Sequence, residues 1–318
     1  MKQRRMALSL LLIALMVGMT GCQPPPKEKI TLATQFGIAY APLEIMKQDR
    51  LLEAALPGVQ VKWVQMGGPT GIREGMLAGK IDVGFMGIGP MLIGVDTGMP
   101  WKCFAALSAN EVAFVTNRAD IRSLQDIQPS DRIAILSPGS TQHILLCMAA
   151  EQVLGNADAL DTQLVSMSHP DAMTAMLAGS EIALHIATPP YTELELENGM
   201  HKILTGQEVM GGPFTFICGV ALTRLYEEQP ALYAALTQSL QKATDTLNAD
   251  LPGAARRLAP LYGIPEAVLL QAMRYQGSIY GTSLHGVDRF ASAMARLGLL
   301  SQAPTAEQYA FAGVEVLP

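Results

Sequence analysis

Charge is scarce in this chain of 318 residues: Asp, Glu, Lys and Arg make up 16%, and 22 basic residues face 28 acidic ones. A net charge of −6 excludes the basic footprint that a nucleic-acid surface needs. Aromatic residues reach only 6%, and the four cysteines contain no Cys-x-x-Cys pair, so a zinc site of that spacing is excluded. Also missing are Gly-x-Ser-x-Gly, His-Glu-x-x-His, a phosphate-binding loop and any motif-framed acidic pair. Gly84, Gly87 and Gly89 do not complete a dinucleotide fingerprint, because the next glycine is Gly94. Catalysis is thereby unsupported, although a triad need not be local in sequence. No apolar run reaches the ~20 residues that span a bilayer.

What the chain has in quantity is apolar material. Hydrophobic residues make up 49%, enough for a large core, and the length suits two domains or lobes at roughly 100–200 residues each. At the N-terminus, Lys2, Arg4 and Arg5 precede an apolar stretch over 6–17 and small residues ending at Gly21-Cys22, the layout of a secretory signal over 1–21. Met19-Thr20-Gly21-Cys22 resembles a bacterial lipobox, which implies cleavage before Cys22 and a diacylglycerol on its sulfur. Residues 22–29, with Pro24-Pro25-Pro26, read as a stiff polar tether. Losing 1–21 removes three basic residues and no acid, which moves the net charge from −6 to −9. Cys103, Cys147 and Cys218 remain. One disulfide among them is compatible with an oxidising compartment, but their apolar surroundings favour buried free thiols.

Short apolar runs at 30–34, 59–65, 81–85, 103–108, 133–136, 162–167 and 182–186 alternate with helical patterns, which indicates an α/β protein with mainly parallel sheets. From Thr223 onward the pattern becomes all-helical, punctuated by Pro230, Pro252, Pro260 and Pro265. Met76-Leu77-Ala78-Gly79 recurs one hundred residues later as Met176-Leu177-Ala178-Gly179. Each copy follows a helix-opening proline, Pro69 or Pro170, and precedes a short strand and a second proline-opened helix, at Gly89-Pro90 or Pro189-Pro190-Tyr191. Two similar lobes follow from this echo, each with its strand C-terminal ends along one edge, where open α/β sheets bind ligands. Strand-like runs at 111–117 and 214–222 supply two crossings. The division is 30–113 with 216–318 in lobe 1 and 118–213 in lobe 2, with the C-terminal helices packed on lobe 1.

At this point the residues resemble a family. The lipobox, Gly37 to Ala41-Pro42-Leu43, Met76-Leu77-Ala78-Gly79-Lys80-Ile81-Asp82-Val83-Gly84 and Gly139-Ser140-Thr141 look like substrate-binding lipoproteins of nitrate/sulfonate/taurine-type ABC importers. The resemblance covers roughly residues 30–300 and implies a two-lobed, type II periplasmic-binding-protein-like fold. It implies a small-molecule ligand, ABC permease and ATPase partners, a lipid-anchored place in the periplasm or at the cell surface, no cofactor and no enzymatic activity. A monomer is expected. Relatives carry nitrate, alkanesulfonates, taurine or pyrimidine thiamin precursors, so the ligand class stays open. A sensory ligand-binding protein and a secreted enzyme on the same scaffold are the rival readings. Where family members often have Asp after the second-lobe Gly-x-Ile, Ala183 stands here, whereas Asp82 keeps the pattern in lobe 1.

Candidate ligand contacts follow from the loops. Ser140, Thr141 and Gln142 open a long helix after a strand, where free N–H groups and hydroxyls make an anion pocket or an ordinary N-cap. Gly68 and Gly87 sit in first-lobe turns that admit close approach or only a tight bend. Gln35, Phe36 and Tyr40 follow the first strand at the expected cleft lip, as ligand contacts or as a loop staple. His185 interrupts an apolar strand and needs a polar partner, as a ligand contact or one step behind it, ahead of His143 and His169. Thr188 follows the same strand. Met86, with Met66 and Met167, would form an adaptable apolar wall. Arg73 and Lys80 are the nearby basic residues.

Overall fold

Each of the apolar runs becomes a strand, and the strands collect into two sheets. The computed structural model describes residues 29–274 and 279–318. The expected signal sequence, Cys22 and all of the expected tether except Lys29 lie outside the described residues. Strands β1 (Lys29–Thr34), β2 (Gln60–Gln65), β3 (Val83–Gly87) and β4 (Trp101–Ala109) come first. They are joined through helices α1 (Ala41–Gln48), α2 (Leu51–Ala55), α3 (Pro69–Leu77) and α4 (Ile88–Asp96). Then follow β5 (Ala113–Thr116), β6 (Arg132–Ile135), α5 (Thr141–Leu154), β7 (Leu164–Ser166), α6 (His169–Leu177) and β8 (Ile182–Ala187). Helix α7 (Tyr191–Glu197), β9 (His201–Thr205), α8 (Gly206–Met210) and β10 (Ile217–Leu222) complete the α/β part.

The tail carries α9 (Thr223–Glu228), α10 (Pro230–Ala249), α11 (Leu251–Tyr262), α12 (Glu266–Met273), α13 (Val287–Arg296) and α14 (Ala306–Tyr309). It is not wholly helical as expected: β11 (Ile279–Tyr280), β12 (Leu284–His285) and β13 (Val316–Leu317) interrupt it. A two-residue strand has no room for a period-2 pattern, so the sequence carries no trace of these. Helix α10 packs across α1 and α2, on the side of the first sheet.

The first sheet has the order β11-β4-β10-β3-β1-β2 and the second β7-β6-β8-β5-β9. Both are parallel around their helix-connected strands, β2-β1-β3 and β7-β6-β8. Each also holds one antiparallel strand in its interior, β10 in the first and β5 in the second, which corrects the expectation of mainly parallel sheets. These are the strands by which the chain arrives from the other sheet. Parallel neighbours need a crossover helix, and a strand that arrives directly from elsewhere has no such constraint. The two crossings lie side by side, with Phe216 N–H donating to the Ser108 carbonyl at 2.8 Å and Gly206 N–H to the Val112 carbonyl at 2.7 Å.

The internal echo is a repeated helix stop. In α3, Gly79 N–H donates to the Met76 carbonyl at 3.1 Å and Lys80 N–H to the Gly75 carbonyl at 2.8 Å. In α6, Gly179 N–H donates to Met176 and Ser180 N–H to Ala175, both at 3.1 Å. Gly79 and Gly179 have φ of 67° and 65°, the left-handed conformation this motif requires and glycine adopts without strain. Pro69 and Pro170 fix the other end of each helix.

Candidate functional site

The C-terminal ends of β1, β3, β6 and β8 converge on one cavity between the sheets. Its free space is about 410 Å³ when the open solvent at its mouth is included. From the first-sheet side it is lined by Gln35, Phe36, Tyr40 and Gly87, and from the second by Ser140, Thr141, Gln142 and Thr188. Three other expected residues lie off its wall. Gly68 yields its place to Gly67 and Pro69; Met86 is fully buried and faces an adjoining cavity of about 420 Å³; His185 stands one residue back, behind His169. The lining outside the leading candidates includes Leu136, Phe216 and Ile217, together with His169, which the sequence ranks behind His185. Phe216 and Ile217 arrive on the second crossing, which the apolar run at 214–222 marks as a strand without showing that it borders the cavity.

Local structure fixes these side chains. The Gln35 amide donates from Nε2 to the Phe85 carbonyl at 3.2 Å. Phe36 is 39% exposed at the mouth, while Tyr40 is buried and its hydroxyl pKa is raised, chiefly by desolvation and further by Cys218. Ser140 caps α5 by accepting from His143 N–H at 3.2 Å. Thr141 Oγ1 accepts from Gly89 N–H at 3.2 Å, so the N-termini of α4 and α5 touch across the gap between the sheets. A Cβ on Gly87 would lie 2.1 Å from Thr141 Oγ1, and one on Gly89 2.3 Å from Ile144 Cδ1. These glycines therefore admit the facing helix. A second bridge runs from Ile38 N–H to the Pro189 carbonyl at 3.2 Å.

Behind the wall runs a buried chain of polar contacts. His169 Nε2 lies 3.2 Å from Gln142 Nε2 and 3.3 Å from Thr188 Oγ1. On the other side of the ring, His169 Nδ1 lies 2.9 Å from His185 Nε2, and His185 Nδ1 lies 2.6 Å from Glu195 Oε1. Tyr191 stacks on His169 with centroids 5.6 Å apart. His169, His185 and Glu195 are 3%, 2% and 0% exposed. Burial lowers both imidazole pKa values, that of His185 to about 3, and raises the Glu195 carboxyl to about 8. All three favour their neutral forms, as desolvation without a counter-charge demands.

Among the described residues, no Lys, Arg, Asp or Glu lines the cavity. Arg73 faces the adjoining cavity with Met86, beyond the shared Pro69 and Pro90. Lys80 sits past the C-terminal end of α3, whereas the cavity lies at its N-terminal end. Asp82 serves the fold, accepting from Thr31 N–H at 2.9 Å between β1 and β3.

The three cysteines are buried free thiols. Among the described residues, His143, Cys147 and Asp161 gather within 4.8 Å of one another. His143 Nδ1 accepts from Gly139 N–H at 3.1 Å, which leaves the ring proton on Nε2, facing Asp161 Oδ1 at 3.4 Å and Cys147 Sγ at 3.5 Å. A metal ligand needs a bare Nε2 with the other nitrogen donating. Burial also pushes the Cys147 thiol up to about 12, with further contributions from Asp161 and Asp158. The cluster is thus a hydrogen-bonded brace for the first turn of α5. Among the described residues no helix is long and apolar enough to cross a membrane.

Solved structures of the same fold are numerous. The alkanesulfonate-binding protein SsuA from Xanthomonas axonopodis pv. citri, bound to MOPS, superposes with a TM-score of 0.73 at 20% identity, covering 93% of this chain and 100% of that one. The periplasmic aliphatic sulphonate-binding protein SsuA from Escherichia coli gives 0.67 at 18%, with 91% and 93% covered. The periplasmic nitrate-binding protein NrtA from Synechocystis PCC 6803 gives 0.69 at 14%, with 89% and 84% covered. The two-lobed periplasmic-binding-protein fold is therefore this chain's fold. Among curated proteins the chain has no match. The model of the NMT1-like family matches residues 23–262, about three quarters of the chain, and the chain belongs to that family.

Proposed function

We propose that the chain is an extracytoplasmic solute-binding protein that captures a small organic or anionic solute between two lobes and delivers it to an ABC importer. The observation that carries this reading is the cavity itself. Parallel-strand ends and helix N-termini from both sheets face each other across it, with hydroxyl, amide, imidazole and aromatic groups on the wall and no motif-framed nucleophile. The sulfonate- and nitrate-binding proteins of the same fold support it.

In this reading residues 30–113 with 216–318 form one lobe and 118–213 the other. The paired crossings near Val112–Asn117 and Thr215–Leu222 are the hinge that absorbs rotation. A solute that touches both walls stabilises the closed arrangement, because only differential affinity shifts such an equilibrium. Gln35, Phe36, Tyr40 and Gly87 hold it from one lobe, and Ser140, Thr141, Gln142 and Thr188 from the other. Gly68, Met86 and His185 support that wall from behind. Cys22 carries a lipid that tethers the body to the membrane, and the protein works as a monomer with a permease and its ATPase.

Among the described residues the wall carries no cationic side chain, which favours a second ligand class beside sulfonates and nitrate: a neutral planar heterocycle stacked on Phe36 or Tyr40. Thermal unfolding of the full chain against sulfonates, taurine, nitrate, bicarbonate, pyrimidines and flavins tests the reading. A ligand at 100 times its Kd adds ~2.7 kcal/mol to stability. A shift confined to one class supports a binding protein and identifies its cargo. An unmoved transition with every compound refutes this reading for those ligands, and chemical turnover of a bound compound refutes it in favour of an enzyme.

A further inference from the structure

We propose that Glu195, His185 and His169 form a proton-holding chain ending at the cavity wall, and that an oxyanion ligand binds together with one proton carried on it. The inference rests on the cavity being the solute site. Its geometry is serial. One proton occupies the Glu195 Oε1···His185 Nδ1 contact at 2.6 Å and a second the His185 Nε2···His169 Nδ1 contact at 2.9 Å. A third has one hydrogen-bonded place left, His169 Nε2 at the cavity, because Glu195 Oε2 is buried without a partner.

With two protons the chain carries one negative charge, and Nε2 offers a lone pair to the Gln142 amide and the Thr188 hydroxyl. With three it is neutral, and Nε2 carries N–H towards the cavity. The outcome is the same whether the added proton is drawn on His169 or, with both rings changing tautomer, on Glu195. Gln142 then turns its amide so that Oε1 accepts from His169 and the NH₂ faces the ligand. The proton comes from solvent, and no other bond forms or breaks.

Chemistry favours coupling to an oxyanion. With no Lys or Arg among the described residues of the wall, the anion's partners there are N–H and O–H groups, and a two-proton chain would set a buried negative charge beside it. The remaining ionisable groups on the elements packed around the chain do not neutralise it. On α7, Glu193 is itself raised to about 7 by burial, and Tyr191 is held neutral. On β9, Lys202 is engaged by Glu111 at 2.8 Å, and His201 lies at 2.9 Å from the Ile121 carbonyl. Asp171 on α6 bonds Ser168, Arg132 on β6 bonds backbone carbonyls, and His143 on α5 braces Asp161. Glu151 on α5 pairs with Arg296, and Glu266 on α12 with Arg256. Arg274 closes α12.

Two measurements on the full chain test this. Long-range ¹H–¹⁵N spectra of the ligand-free protein read each imidazole nitrogen directly. The expected result is N–H at His169 Nε2 at pH 6 and its loss as pH rises past about 8, with Glu195→Gln abolishing the transition and Glu193→Gln preserving it. An Nε2 state unchanged from pH 5 to pH 10 overturns the chain whether or not any ligand is known. Calorimetry with alkanesulfonates and their neutral sulfonamides, in phosphate and in Tris, reads proton uptake. Sulfonate binding that takes up close to one proton above pH 8 and weakens towards tenfold per pH unit supports the proposal; binding with no uptake, or of the sulfonamide alone, overturns it. If neither class binds, the oxyanion half of the proposal falls, while the spectra still decide the proton chain.

Discussion

Gly87→Ala isolates the contact between the two halves of the cavity. Gly87 has φ −63° and ψ 153°, a backbone any residue adopts, so alanine brings no local strain. Its Cβ, however, would lie 2.1 Å from Thr141 Oγ1 and 3.1 Å from Thr141 Cβ on the facing helix. Relieving such a clash takes either a turn of the Thr141 side chain, which gives up its bond from Gly89 N–H, or a parting of the helices, and overpacking of this kind costs about 1–3 kcal/mol. That penalty falls on the arrangement in which α4 and α5 touch and vanishes once they separate. A solute held by both walls should therefore bind ~5- to ~150-fold more weakly, at 1.4 kcal/mol per decade. Small-angle scattering of the ligand-free variant should show a larger radius of gyration, without loss of cooperative unfolding. Removing the obstacle provides the control: in a Thr141→Ala background the nearest remaining atom is Cβ at 3.1 Å, so the added cost of Gly87→Ala should fall below about threefold. Equal penalties in both backgrounds, or an unchanged shape and affinity in the single variant, would refute the reasoning.

Ser140 and Ser168 both cap helices, accepting from His143 N–H and Asp171 N–H, and each replaced by Ala should cost about 1 kcal/mol in denaturant unfolding. Only Ser140→Ala, preferably with Thr141→Ala, should also weaken ligand binding, since Ser168 lies off the cavity wall; equal effects on affinity would remove Ser140 from the site. Stability should fall as pH rises from about 4.5 to about 8, because half-buried Glu193 and buried Glu195 stay protonated in the native state after the unfolded chain has ionised. Their raised pKa values thus stabilise the fold fully at low pH and lose that contribution on the alkaline side. Glu195→Gln should flatten the slope in pH-dependent chemical denaturation, and an unchanged slope would show that the carboxyl ionises freely. Cys103, Cys147 and Cys218 should resist a thiol reagent until denaturant is added; peptide mapping that finds any of them labelled in the native protein would contradict their burial.

The fold was legible where the chain repeats itself. Met-Leu-Ala-Gly twice, each time after a proline and before a strand, is a local instruction: a helix stop needing a left-handed residue, executed with φ 67° at Gly79 and 65° at Gly179. Strand direction was not legible. The run at 217–222 is continuously apolar because β10 is buried on both faces, and such a run reads alike in parallel and antiparallel sheets. What sets its direction is the route of the chain from the other sheet, a property of topology that no window of residues contains. The short strands of the tail were invisible for the opposite reason, having too few residues for any period.

The site divided along the same line. Gln35 and Thr188, immediately after strands, and Ser140 and Thr141, at a helix start, could be placed because strand ends and helix starts are both local signals and parallel strands bring them to one edge. The histidines could not be ordered. His185 drew attention as a polar ring inside an apolar strand, and the need for a partner is met twice, by Glu195 ten residues on and His169 sixteen residues back. The ring at the wall is His169, the first residue of a helix, which the sequence ranks behind His185. A buried polar residue announces that a network exists, but which member faces solvent is decided by how two helices, α6 and α7, lie against β8. That placement puts the imidazole of the cavity wall at the end of a chain of polar contacts whose far member, the Glu195 carboxyl, does not line the cavity.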